Sequence, residues 1–127
     1  MTENEIWKII VDCSVRLHKD LGPGLLESVY EVILSHLLQE AGLKVERQVS
    51  IPIEYAGIHF DEGFRADIIV ENKVILELKS VEKINNAHKK QVLTYLKLTD
   101  KKLGYLLNFG ADLMKNGISR ILNGYIK

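Results

Sequence analysis

The hydrophobic pattern of this chain changes period once, and that change restricts the folds that it can adopt. Up to Gly42 the apolar residues recur with the helical period, which predicts one helix from about residue 3 to 19 and another from about 25 to 41. From Val45 onward apolar and polar residues alternate, as is typical of a half-buried strand. Helices followed by clustered strands favour an α+β domain.

Four more strands and a third helix are predicted after this first strand. The second and third strands flank a turn at Glu71-Asn72, so we expect them to form a hairpin. The complete order is α, α, β, β, β, α, β, β, which favours a sheet with helices on its faces. The predicted first strand covers 45–54; the second follows a turn near residues 56–57 and ends at residue 70, and the third covers 73–79. The predicted helix covers 85–98, and the last two strands cover 103–109 and 117–125.

The length of 127 residues predicts a single domain over residues 1–127. The only cysteine is Cys13, which excludes an internal disulfide and fits a reducing cytosol. No apolar run is long enough for a membrane span, and the acidic N-terminus does not resemble a signal peptide. We therefore expect a cytoplasmic protein without a membrane partner.

The formal net charge is zero, which by itself argues against strong nonspecific binding of nucleic acid. The distribution is uneven, however. Seven lysines lie between Lys79 and Lys102, whereas residues 1–63 carry eleven Asp or Glu against five Lys or Arg. This asymmetry predicts one basic face over residues 79–102, and the alternative is an ordinary solvated helix surface.

Charged side chains stand inside the predicted hairpin, where apolar residues would be expected. Because side chains alternate along a strand, Glu77 and Lys79 share one face of the third strand. On the second strand Arg65, Asp67 and Ile69 likewise share a face. We expect the hairpin to bring Asp67 beside Glu77.

Two adjacent carboxylates repel each other unless a proton or a cation lies between them. Mg²⁺ or Mn²⁺ meets this need, because such ions take oxygen ligands and often use only one or two protein carboxylates. A bound metal can polarise a phosphoryl oxygen, and Lys79 would orient the attacking water or stabilise the developing charge. The alternative is a solvent-facing strand surface with a Glu–Lys pair.

The third predicted helix carries polar residues in a row. His88, Gln91 and Tyr95 lie at i, i+3 and i+7 and share one side, while Val92 and Leu96 face the core. We expect the row to look into the same cleft as the carboxylates. The alternative is a polar helix face with a half-buried tyrosine.

These elements together resemble the PD-(D/E)XK nuclease superfamily. The resemblance is carried by Arg65-Ala66-Asp67, Glu77-Leu78-Lys79 and the Gln-x-x-x-Tyr element of residues 91–95, which is similar to the branch containing bacterial recombination exonucleases. Residues 24–30 read as G-x-x-E-x-x-Y, which resembles the bacterial GxxExxY proteins over essentially the whole chain. One departure is Ala66, which stands where the superfamily's name has proline.

The resemblance implies an αβββαβ core with a mixed sheet flanked by helices. It implies Asp67 and Glu77 as metal ligands, Lys79 as the catalytic lysine and Glu27 as the acid that completes the site. Without it, Glu27 would be read as a carboxylate at the positive end of a helix dipole. The expected substrate contacts are Gln91, Tyr95, His88, Arg65 and Tyr30, although Arg65 could pair within the protein and Tyr30 could belong to the core.

The expected function is Mg²⁺-dependent hydrolysis of phosphodiester bonds in DNA by a metal-activated water. One alternative is an inactive module of the same fold that binds nucleic acid or protein, and another is a small nucleotide-binding regulator. The expected partners are DNA and either a second copy of the chain or a partner protein.

Overall fold

The computed structural model describes residues 1–126, which form three α-helices and a five-stranded sheet. It confirms the predicted order of elements and the α+β class. A short 3₁₀ helix, Met114–Gly117, precedes the last strand and was not predicted. The elements are α1 (Glu3–Leu21), α2 (Glu27–Glu40), β1 (Val45–Tyr55), β2 (Ile58–Val70), β3 (Val74–Lys79), α3 (Asn86–Thr99), β4 (Leu103–Asn108) and β5 (Ile118–Leu122).

The five strands lie in the sheet in the order in which they occur in the chain. Three neighbouring pairs are antiparallel, and only β3 and β4 are parallel, joined by α3 as the crossover helix. One face of the sheet packs against α1 and α2, and the other packs against α3. No helix within residues 1–126 is both long and apolar enough to cross a membrane.

Helix α1 begins and ends with local signals that are visible in the sequence. Thr2 accepts a hydrogen bond from the backbone N–H of Glu5, whose side chain accepts in turn from the backbone of Thr2. Gly22 ends the helix with a φ of 73°, a conformation that glycine adopts without strain. Ile6, Ile10 and Leu17 on the core side are buried as the pattern predicts.

The helical pattern of the second helix predicts Leu26, Val29 and Tyr30 on its buried side; this is confirmed for Tyr30 and wrong for Leu26 and Val29, which are exposed. Leu26 is 74% exposed and precedes the helix, whereas Tyr30, Leu34 and Leu38 are fully buried. Apolar residues occur on more than one side of this helix, so the periodicity alone does not select the core side. Stacking of Tyr30 on Phe109, with ring centroids 4.5 Å apart, fixes the helix rotation.

Strands β1 and β2 change faces in the middle of their pairing. Val45 and Ile68 pack in the layer of α1 and α2, whereas Val49 and Ala66 pack in the layer of α3. The register is the same on both sides of this point. On β1 the reversal occurs at Gln48, whose φ is 51°. A left-handed residue reverses the alternation of the side chains that follow it.

The reversal corrects the prediction that Arg65 shares a face with Asp67 and Ile69. Ile69 packs on the α3 face of the sheet. Ala66 and Phe64, which precede the reversal along β2, pack on that face as well. Arg65, which alternates with those two residues, is therefore directed to the opposite face. There it ion-pairs with Glu62, with Nε 2.6 Å from Oε1.

Candidate active site

Asp67 and Glu77 lie side by side on β2 and β3, where the regular pairing of these strands ends. The last paired residues are Ile68 and Leu76. Beyond them the two carboxylates replace the missing ladder bonds. The backbone N–H of Asp67 donates to Glu77 Oε2 at 3.0 Å, and the backbone N–H of Leu78 donates to Asp67 Oδ2 at 2.9 Å. The structure thus brings together the two predicted carboxylates.

The carboxyl group of Glu77 is in an unfavourable place for a negative charge. Only 6% of Glu77 is exposed. Burial, followed by the charge of Asp67, raises the pKa of Glu77 from 4.5 to about 9, although the charge of Lys79 acts in the opposite direction. At neutral pH the Asp67–Glu77 pair therefore holds a proton. A divalent cation in the same position would neutralise the charge of both carboxylates.

This donor set suits Mg²⁺ or Mn²⁺, because magnesium is commonly held by one or two carboxylates and keeps several water ligands. Glu27, the predicted third acid, is exposed at the start of α2. Among residues 1–126, no three His, Cys, Asp or Glu side chains are grouped closely enough to hold a metal. The structure therefore does not bring Glu27 into a ligand set with the carboxylate pair.

Lys79 is the last residue of β3 and is half-buried. Its backbone oxygen accepts from the N–H of Phe109 at 2.9 Å, which fixes the end of the strand beside β4. Its side chain alternates with that of Leu78 and is on the same face as Glu77. The ammonium group is therefore close enough to Glu77 to lower the pKa of that carboxyl.

Tyr95 is the residue of the predicted polar row that faces the carboxylates. Its ring stacks on Phe64 with centroids 3.8 Å apart, which anchors α3 over β2. Burial raises the pKa of the Tyr95 hydroxyl, and so do the charges of Glu77 and Asp67. Gln91, one turn earlier, is exposed, while Val92 and Leu96 face the core as predicted.

His88, which is predicted to contact substrate, forms part of the cap at the start of α3. Its backbone N–H donates to Asn85 Oδ1 at 3.1 Å, and its Nδ1 accepts from the backbone N–H of Asn85 at 3.4 Å. This reciprocal pair caps the start of α3. The prediction of a substrate contact did not consider that role, because His is less usual than Glu or Gln at this capping position.

Arg65 and Tyr30, two further residues predicted to contact substrate, have partners within the protein. The guanidinium group of Arg65 makes two hydrogen bonds to Glu62, at 2.6 and 3.2 Å. Tyr30 is fully buried; its hydroxyl donates to the carbonyl of Gly22 at 2.6 Å and accepts from the N–H of Leu25. It therefore fixes the loop between α1 and α2 from within the core.

A polar cluster that the sequence analysis missed adjoins the pair. Glu31 of α2 is buried, and Arg47 Nη2 lies 2.8 Å from its Oε2. The side-chain Nε2 of Gln48 lies 2.8 Å from Glu31 Oε1 and 3.5 Å from Asp67 Oδ1. The signal for this cluster was Arg47, a charged residue on the apolar side of the strand pattern, which requires a buried partner.

The seven lysines of residues 79–102 do not form one basic face. Lys83 and Lys89 line a cavity at the end of the sheet where β4 ends. Lys101 and Lys102 lie at the opposite end, where β4 begins, beside Glu3. The predicted basic face is therefore split between the two ends of α3. Residues that are close in sequence do not share a face when they belong to a helix and to the loops at its opposite ends.

A family model described as PD-(D/E)XK nuclease superfamily matches residues 4–121 of the chain. The matched region contains every element of the sheet except the end of β5. No curated protein matches the sequence.

Proposed function

Because the chain belongs to the PD-(D/E)XK nuclease superfamily, we propose that it hydrolyses phosphodiester bonds in DNA at Asp67, Glu77 and Lys79. The observation that supports this best is the carboxylate pair itself. A buried glutamate held against an aspartate is unfavourable without a compensating cation, and such arrangements are found at functional sites. We propose Mg²⁺ or Mn²⁺ as that cation, with Asp67 and Glu77 as its protein ligands.

The residues of the chain have distinct tasks in this proposal. A bound Mg²⁺ would polarise a phosphoryl oxygen and lower the pKa of a water. Lys79 stabilises the negative charge that develops on the phosphoryl oxygens. The hydroxyl of Tyr95, anchored by its stacking on Phe64, donates a hydrogen bond to the same phosphate, and the exposed Gln91 contacts the nucleic acid beyond it.

At a finer level we propose that the chain is one of the GxxExxY proteins. The motif spans the loop before α2 and the first turn of that helix. Tyr30 ties this loop to the core through Gly22 and Leu25. The motif tyrosine therefore has a structural role in this proposal. Ser80 Oγ donates to the carbonyl of Leu25 at 2.7 Å and links the same loop to the end of β3.

The first test is calorimetry with Mn²⁺ alone. We expect wild-type protein to bind Mn²⁺ and Asp67→Asn to lose that binding, because the amide removes a negative charge while its oxygen still accepts from Leu78. Asp61→Asn is the matched control, since it makes the same change on β2 at a fully solvated side chain. Equal Mn²⁺ binding by wild type and Asp67→Asn would remove Asp67 as a ligand.

A second candidate is a module of the same fold that binds nucleic acid or protein without turnover. It is favoured by the lack of a third acidic ligand among residues 1–126 and by the division of the lysines between two ends of α3. A wild-type protein that binds DNA but releases no product with Mg²⁺ or Mn²⁺ would support this candidate over the nuclease.

Binding of DNA is expected to depend on the lysines at the carboxylate end of α3. Each phosphate contact adds roughly 0.9 to the slope of log affinity against log salt concentration. Combined Lys89→Glu and Lys90→Glu should lower that slope by about 2. The same reversal at Lys101 and Lys102, at the other end of the helix, is the control and should leave the slope unchanged. Equal slopes for the two double variants would place the DNA elsewhere.

A further inference from the structure

Gln48 has a backbone conformation that its own side chain does not favour. Its φ of 51° lies in the left-handed region, although it stands inside β1 and the residues on either side of it pair with β2. Glycine, asparagine and aspartate adopt this conformation more readily, and glutamine has no local hydrogen bond that compensates for it. Contacts made at a distance must therefore hold Gln48 in place.

The first such contact is with Glu31 of α2. Gln48 and its neighbour Arg47 bind different oxygens of this one carboxylate, each at 2.8 Å. Adjacent side chains of a regular strand point to opposite faces and could not do so. The left-handed backbone at Gln48 is what allows both side chains to reach the same buried acid.

The second contact is with the carboxylate pair. The same Nε2 of Gln48 lies 3.5 Å from Asp67 Oδ1, a long contact, while Asp67 Oδ2 accepts from the N–H of Leu78 at 2.9 Å. The two oxygens of Asp67 are thus held from different sides, one by the backbone of β3 and the other by the amide of Gln48. Rotation of the carboxylate would break at least one of these contacts.

We propose that Gln48 is a positioning residue whose side-chain amide, anchored on buried Glu31, fixes the orientation of the Asp67 carboxylate. Gln48 acts through Asp67 and contacts neither the substrate nor the reacting atoms. The inference rests on the proposed function where it concerns metal affinity. It also links α2 to the site through Glu31, a residue four positions after the glutamate of the G-x-x-E-x-x-Y motif.

The decisive variant is Gln48→Gly, because glycine accepts the left-handed backbone while removing the amide. We expect it to fold and to bind Mn²⁺ 10–100-fold more weakly, the usual scale for losing a partner that orients a metal ligand. The control is Ala56→Gly. Ala56 lies in the β1–β2 turn and also has a positive φ, 52°, which glycine adopts without strain. The control variant should leave Mn²⁺ affinity unchanged. Gln48→Asn, which also tolerates this backbone but has a shorter side chain, should behave like Gln48→Gly.

A second readout does not depend on metal. The backbone N–H of Leu78 donates to Asp67, so its amide resonance in a ¹H–¹⁵N spectrum reports the orientation of that carboxylate. We expect the resonance to shift in Gln48→Gly and to stay in place in Ala56→Gly. If wild type binds no Mn²⁺, the proposed function fails, and the Leu78 resonance alone decides the positioning role. An unshifted Leu78 resonance, or wild-type Mn²⁺ affinity in both Gln48 variants, would overturn the role.

Discussion

Glu77→Gln is expected to stabilise the folded chain by about 3 kcal/mol at pH 7 and to abolish binding of divalent cations. The amide has the shape of a protonated carboxyl group and can still accept from the N–H of Asp67. The variant also folds without the proton uptake that burial and the charge of Asp67 impose on Glu77 at pH 7. The same substitution removes a proposed metal ligand, so stability and function should move in opposite directions.

The pH dependence of this effect has a definite sign. The pKa of Glu77 is raised from 4.5 to about 9 in the folded chain. The contribution of protonated Glu77 to the stability of the folded chain is therefore fully present below pH 4.5 and is lost as the pH rises toward 9. Over that range each pH unit costs the folded wild type about 1.4 kcal/mol, which gives the difference expected at pH 7.

Urea unfolding of wild type and Glu77→Gln at pH 5, 7 and 9 measures this difference. We expect the gap in unfolding free energy to widen with pH. Glu54→Gln makes the same change at an exposed position of β1 and should show no such widening. A gap that stays constant from pH 5 to pH 9 would mean that Glu77 is ionised at all three pH values.

The second large effect is expected at Lys79. Lys79→Ala should lower the rate of phosphodiester hydrolysis by roughly 10²–10³-fold, the usual cost of losing one group that stabilises transition-state charge. The fold should be retained, because the side chain is only half-buried and the backbone bond to Phe109 does not depend on it. Affinity for DNA at low salt should change far less than the rate.

The control for Lys79→Ala is Lys8→Ala, an exposed lysine on α1 in the opposite layer. Both variants carry the same change of net charge, so a general electrostatic effect on DNA binding would appear in both. Unchanged hydrolysis by Lys79→Ala, with Mn²⁺ binding intact, would end the catalytic role of this lysine and leave the carboxylate pair as a metal site only.

The elements of the fold could be predicted because their signals are local. The capping residues of α1, the turn at Glu71-Asn72 and the change of hydrophobic period each act within a few residues. The pairing of Asp67 with Glu77 follows from the same short turn, since a hairpin of this length fixes which residues stand opposite each other. Signals that act over a few residues are therefore sufficient to predict the elements of the fold and the pairing of the two carboxylates.

The rest of the site depends on contacts between distant segments. The left-handed conformation of Gln48 is enforced by Glu31, seventeen positions away, and nothing beside Gln48 in the sequence marks it. The rotation of α2 is set by stacking of Tyr30 on Phe109. The strand pattern did contain a signal in Arg47, but identifying its partner required the correct face of α2.

The order of the strands also bears on how fast the chain folds. Each strand lies beside its sequence neighbour, so the sheet can grow one strand at a time without a long loop closing first. The hairpin of β2 and β3, which carries both carboxylates, closes across three residues, whereas the parallel pair of β3 and β4 must wait for α3. We therefore expect the cost of burying Glu77 to fall on an early step of assembly and to slow folding at high pH more than it speeds unfolding.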